Sequence, residues 1–108
     1  MNPDKLKDKF IGCTLGTHVG DALGMPVEGY DCKTIEMKYG ELREMLDARM
    51  GAGTYTDDTE MMIGIAESLV QCRGFNGRDM AGRFVKLYNP ERGYGGGTVK
   101  ALSLLREG

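Results

Sequence analysis

A chain of 108 residues suits one small domain or part of a larger one, and 41% hydrophobic against 28% charged residues excludes outright disorder. With 14 basic and 16 acidic residues the formal net charge is -2, which lacks the basic excess of a general nucleic-acid or membrane-surface binder. No apolar run is long enough to span a bilayer, and the charged start through Lys5, Lys7 and Lys9 has no signal-peptide apolar core, so the cytoplasm is the expected location.

The periodicity predicts a first helix from about Asp4 to about Val19, running on to an end near Gly24. Leu6, Phe10, Cys13 and Thr17 trace one face, and Gly12, Gly16 and Gly20 trace a neighbouring one. Glycines at that spacing let another helix or a ligand come close, and each weakens the helix by about 1 kcal/mol relative to alanine, so packing has to offset the cost. Pro26 drives Met25 out of helical geometry, and a loop carrying Glu28 should follow. By spacing alone Glu28 is a solvated loop carboxylate. The stretch from Thr34 to about Met50 is expected to be irregular and to lead into a short helix. Gly51-Ala52-Gly53 then breaks the chain.

A second helix is predicted from about Asp57 to Cys72, and a third from near Arg78-Asp79 to about Tyr88, stopped by Asn89-Pro90. A last helical run, Val99 to Leu105, has Thr98 as its expected N-cap. No alternating strand pattern and no internal repeat occurs, so the predicted architecture is all-α. Cys13, Cys32 and Cys72 are odd in number and form no C-x-x-C pair. Cys13 and Cys72 are expected to be small core residues. His18, the single histidine, is more often a packed or surface residue than a ligand.

Two stretches carry chemistry. In Thr54-Tyr55-Thr56-Asp57-Asp58-Thr59-Glu60-Met61-Met62, helical spacing runs from Asp58 to Met62, Ile65 and Leu69, which places Asp58 on the stripe expected to face the core. An acid there needs a partner, and a bound cation would serve. The competing reading is helix capping, with Asp57 and Glu60 spaced as a capping box and acids favoured by the helix dipole. Thr56, Asp57, Asp58 and Thr59 offer oxygen only, the donor set of Mg2+ and not of zinc. The second stretch, Arg92-Gly93-Tyr94-Gly95-Gly96-Gly97-Thr98, opens a helix with free N–H groups suited to phosphate. It is neither a Walker A loop nor a G-x-G-x-x-G turn, and a flexible turn is an equal alternative. Tyr94 could stack on a base or ribose, or simply pack.

Three motifs in this order, Gly12-Cys13-Thr14-Leu15-Gly16 through Gly20-Asp21-Ala22-Leu23-Gly24-Met25-Pro26-Val27-Glu28, then Tyr55-Thr56-Asp57-Asp58-Thr59 with Met61, then the glycine-rich stretch from Arg92 to Thr98, resemble the N-terminal part of the ADP-ribosylglycohydrolase family. The resemblance runs from about Lys9 to Leu105. It implies an all-α fold with a dinuclear Mg2+ (or Mn2+) centre in a cleft. Thr56, Asp57 and Asp58 match the family's N-terminal metal ligands. Glu28 matches a glutamate placed to act on the substrate or its attacking water, and Asp58 joins it as a catalytic carboxylate. Gly93, Tyr94, Gly95, Gly96, Gly97 and Thr98 match a segment near the bound ADP-ribose. Asp21 falls in the Gly-Asp-Ala-Leu-Gly motif and is expected to hold the end of the first helix.

The implied reaction is hydrolysis of the glycosidic bond between ADP-ribose and a protein side chain, such as arginine, or a small molecule. The family chain continues well past this length, into a Gly-Asn-Gly-type motif and a Ser-Gly-Asp-Ser-Asp-Thr-type motif whose aspartates complete the metal site; neither occurs here. Residues 1–108 are therefore expected to form a partial domain that supplies the N-terminal half of the site, with the rest coming from absent sequence or a second chain. The alternative is a catalytically inactive relative that binds ADP-ribose or serves a structural role. The implied partner is an ADP-ribosylated protein or ADP-ribose conjugate, not nucleic acid or membrane.

Overall fold

A computed structural model describes residues 1–108 as five α-helices and two short 3-10 turns, without a β-strand. The all-α expectation holds. The chain divides into two compact units, Met1–Tyr55 and Thr56–Gly108. None of the helices is long and apolar enough to cross a membrane.

The first unit begins with α1, Pro3–Gly24. Asn2 starts it by accepting the Asp4 N–H at 2.8 Å, and Pro3 occupies the first turn, where a missing N–H does no harm. The Thr14 and Thr17 hydroxyls bond back to carbonyls one turn earlier. The helix ends as the Met25 N–H bonds to the Asp21 carbonyl, but Met25 is not driven out of helical geometry as expected: it stays right-handed, at φ -51° and ψ -43°, and opens a 3-10 turn, Met25–Val27, that carries Pro26. Only this end is well packed: Ala22, Met25 and Pro26 are buried. Leu6, Phe10, Ile11, Leu15 and Val19 are exposed, and so is Cys13, which is not the core residue expected of it. Cys72 is half-buried, also short of that expectation. A Cβ built on Gly12, Gly16 or Gly20 meets nothing within 4 Å, so the close approach expected there is not made.

The next stretch reverses the expected order. A short helix, α2 (Cys32–Tyr39), comes first, and irregular chain follows it. Asp31 caps α2 by accepting the Thr34 N–H at 2.7 Å, and Gly40 stops it at φ +64°, a conformation that glycine adopts without penalty. Both signals stand in the sequence and locate the helix more directly than its apolar content does. Asp47 steadies the irregular stretch by accepting the Ala52 N–H.

The second unit holds α3 (Asp57–Cys72), α4 (Gly77–Leu87), a 3-10 turn (Pro90–Arg92) and α5 (Gly96–Glu107). Asn76 caps α4 through the Asp79 N–H. Gly64 lies against Phe84 and Leu87, which brings α3 close to α4. α3 buries Thr59, Glu60, Gly64 and Ser68, and α5 buries Leu102. The predicted core stripe of α3 is therefore not its buried side: Asp58, Ile65 and Leu69 are exposed. Glu60 lies two residues beyond Asp58, about 200° around the helix, so packing the Glu60–Gly64–Ser68 row against α4 turns Asp58 outward.

Candidate functional site

The start of α3 presents three successive oxygen-bearing side chains. Thr56 is the buried N-cap residue, in extended geometry, and its carbonyl accepts the Glu60 N–H. Its hydroxyl does not cap the helix. Asp57 and Asp58 follow in the first turn, where the positive end of the helix dipole favours negative charge. The donors are a hydroxyl and two carboxylates. Mg2+ commonly takes one or two protein carboxylates and fills its remaining positions with water or substrate oxygen, so this donor set fits it in kind. No group of three or more His, Cys, Asp or Glu residues is placed to hold a metal.

The capping box between Asp57 and Glu60 does not form. Asp57 is the first helical residue instead of the cap, and Glu60 turns away from it. The buried Glu60 carboxylate accepts the Asn89 N–H at 2.7 Å and the Tyr94 hydroxyl at 2.8 Å through the same oxygen, Oε1. Its other oxygen faces the Arg92 guanidinium at 3.4 Å. Sequence reasoning missed Glu60 because its position one turn into a helix already had an explanation in capping. It missed Asn89 because Asn-Pro reads first as a helix stop.

The glycine-rich stretch begins where Glu60 holds it. Gly93 takes the left-handed conformation, φ +86°, which glycine adopts without the steric cost that a side chain brings. Tyr94 packs edge-to-face on Tyr88, with ring centroids 4.9 Å apart, and donates its hydroxyl to Glu60. Burial, together with the Glu60 carboxylate that accepts its proton, pushes the Tyr94 hydroxyl well above the ordinary phenol range. Of the two roles open to Tyr94, this structure displays packing. Gly95, not Thr98, is the N-cap of α5, and Thr98 lies inside the first turn. The reason is visible in the backbone: Gly95 is extended, and its carbonyl already accepts the Val99 N–H. Gly95, Gly96 and Gly97 are exposed, and a Cβ on any of them meets nothing within 4 Å. The first amides of α5 lack intrahelical partners and lie open to approach, the arrangement that binds anions at helix starts.

In the first unit Glu28 follows the 3-10 turn in a half-exposed position and is ion-paired with Arg49. Both line an open hollow of about 380 Å³ with Met25, Pro26, Tyr30 and Ala48. No motif or spacing marked Arg49 in advance. His18 packs edge-on to Tyr55, with centroids 5.7 Å apart.

The ADP-ribosylglycohydrolase family profile matches residues 2–108. An uncharacterised protein of Archaeoglobus fulgidus is 42% identical over 95% of this chain and 35% of its own length. ADP-ribosylhydrolase ARH3 of Danio rerio is 37% identical over 95% of the chain and 29% of its own length. The ADP-ribosyl-[dinitrogen reductase] glycohydrolase of Rhodospirillum rubrum is 39% identical over 64% of the chain and 24% of its own length. No solved structure matches. The chain thus spans about a third of the length of the curated relatives it matches. With residues 2–108 inside the family profile, the chain belongs to the ADP-ribosylglycohydrolase family.

Proposed function

We propose that this chain supplies the N-terminal metal-binding and ADP-ribose-binding elements of an Mg2+-dependent ADP-ribosyl hydrolase. The substrate is ADP-ribose joined through a glycosidic bond to a protein side chain, such as arginine, or to a small molecule. The observation that carries the proposal lies in the second unit. The oxygen donors at the start of α3 and the open amides at the start of α5 belong to one compact body, and Glu60 joins the two segments. The names of the relatives support the same chemistry, because two of them are called hydrolases of ADP-ribosyl groups.

Each residue has a definite task. Thr56, Asp57 and Asp58 would hold the cation, whose charge supplies ribose orientation and a more acidic water. Asp58, exposed on α3, can also accept a hydrogen bond from a ribose hydroxyl or from the water. Glu28 would receive the proton of the attacking water as the anomeric carbon takes on oxocarbenium character. The amides of residues 95–98 would bind the pyrophosphate.

The test is calorimetric titration of Mg2+ into the protein as expressed from its gene, beside the double variant Asp57→Ala/Asp58→Ala. Loss of Mg2+ binding in the double variant is the expected result. An unchanged Mg2+ affinity would remove the metal-site assignment. Release of free ADP-ribose from an ADP-ribosyl-arginine peptide, dependent on Glu28 and on Mg2+, tests the hydrolase activity separately.

A further inference from the structure

Glu60 is 6% exposed and carries a carboxylate, which is costly to bury without partners. Its partners are a backbone N–H from Asn89, a hydroxyl from Tyr94 and a guanidinium from Arg92. All three come from one short segment, and that segment ends immediately before Gly95, the N-cap of α5. A carboxylate can accept both hydrogen bonds on one oxygen and pair with the guanidinium through the other, without presenting a donor of its own. The segment is therefore fixed at both ends, at Asn89 and at Tyr94, to a point one turn into α3. Asp57 lies on that same turn, near enough for its charge to act on the Tyr94 hydroxyl.

Resting on the ADP-ribose assignment above, we infer that Glu60 is a positioning residue for the pyrophosphate of the substrate: it fastens the Asn89–Tyr94 segment to α3 and so sets where the amides of residues 95–98 stand. Arg92 has a second effect. Its guanidinium offsets the Glu60 charge, which would otherwise add to the repulsion between this turn of α3 and an arriving anion. Nothing in this arrangement requires Glu60 to touch the substrate.

Glu60→Gln retains the shape and one acceptor oxygen but points an amide N–H at Arg92. Two measurements follow on the protein as expressed from its gene. Amide hydrogen exchange of residues 89–98 should accelerate about tenfold in Glu60→Gln, the size of one lost charge-assisted hydrogen bond, while exchange within α4 is unchanged. The dissociation constant for free ADP-ribose should rise about tenfold, with Mg2+ affinity within about twofold of wild type. Arg83→Ala, which breaks the Asp79 and Glu67 ion pairs elsewhere in the unit, controls for general loosening: it should lower the melting temperature and leave ADP-ribose affinity unchanged. If Glu60→Gln does not fold, Tyr94→Phe removes one bond only and should shift both readouts in the same direction by about threefold.

Equal ADP-ribose affinity in wild type and Glu60→Gln overturns the positioning role. Equal exchange overturns the fastening itself. A wild-type protein that binds no ADP-ribose, with the segment still freed by Glu60→Gln, overturns the substrate assignment and leaves the fastening supported.

Discussion

Gly64 is the residue at which α3 and α4 leave no room. A Cβ there would stand 3.1 Å and 3.3 Å from two ring carbons of Phe84 and 3.5 Å from Leu87. Alanine gains about 1 kcal/mol in helix propensity over glycine, whereas overpacking a fitted contact costs about 1–3 kcal/mol. Gly64→Ala should therefore lower stability by about 1 kcal/mol, read as a shift in urea midpoint at constant slope. Gly12→Ala, with open space around it, should raise stability by about 0.5–1 kcal/mol. Equal effects at the two positions would contradict the packing described. The pair also shows what a residue pattern conveys. The recurring glycines of α1 stood out in the sequence and have no neighbour here, while Gly64, one glycine inside an apolar run, makes the close contact. Thr56, Asp57 and Asp58 were legible as oxygen donors because donor type is a property of the residue itself. Glu60 was not, because its role depends on three partners from a segment about 30 residues away in sequence.

Among elements, the junction of α3 and α4 carries a carboxyl whose titration the fold shifts. Asp79, near the start of α4, has its carboxyl held below the usual carboxylate range, first by the Ser68 hydroxyl of α3 and then by Arg83. Arg83 also reaches Glu67, so one guanidinium spans both helices. Burial pushes the neighbouring Cys72 thiol up, with the Asp79 charge adding to it, so this cysteine is a poor nucleophile at neutral pH. A carboxyl whose folded-state pKa is depressed stabilises the fold fully above its unfolded value, about pH 4. That contribution disappears as pH falls through the lower, folded value. The melting-temperature gap between wild type and Asp79→Asn should thus be constant from about pH 5 to 8 and shrink below about pH 4. A gap that widened on acidification would reverse the assignment. The extents of α3 and α4 were legible from the breaks beside them, Gly51-Ala52-Gly53 before α3 and Asn89-Pro90 after α4, although the cap and the core stripe read for α3 were not the ones it uses. Other helices were misplaced where only one signal was used: α2 lies between Asp31 and Gly40, and α5 starts at a glycine because backbone geometry, not a threonine side chain, fixes its first turn.

Across the whole molecule, apolar period and burial part company. α1 sets Leu6, Phe10, Ile11, Leu15 and Val19 in the open, and in the second unit Ile65, Leu69, Val70, Leu104 and Leu105 are exposed as well. A helical period shows that a face is apolar; it does not show which neighbour covers it, and this is why the Asp58 stripe was assigned to the core. Rows of this kind exceed the scattered exposed apolar residues normal for a folded monomer. The 108-residue polypeptide should accordingly bind an apolar reporter dye at neutral pH and sediment with a mass that rises with concentration. Replacing Phe10 and Val70, 65% and 80% exposed, with lysine removes apolar surface without removing packed contacts. Phe10→Lys/Val70→Lys should therefore weaken both dye binding and self-association while changing stability by no more than about 0.5 kcal/mol per site. A loss of several kcal/mol in that double variant would mean that these side chains are packed in solution, and the exposed rows would then have to be redrawn as core.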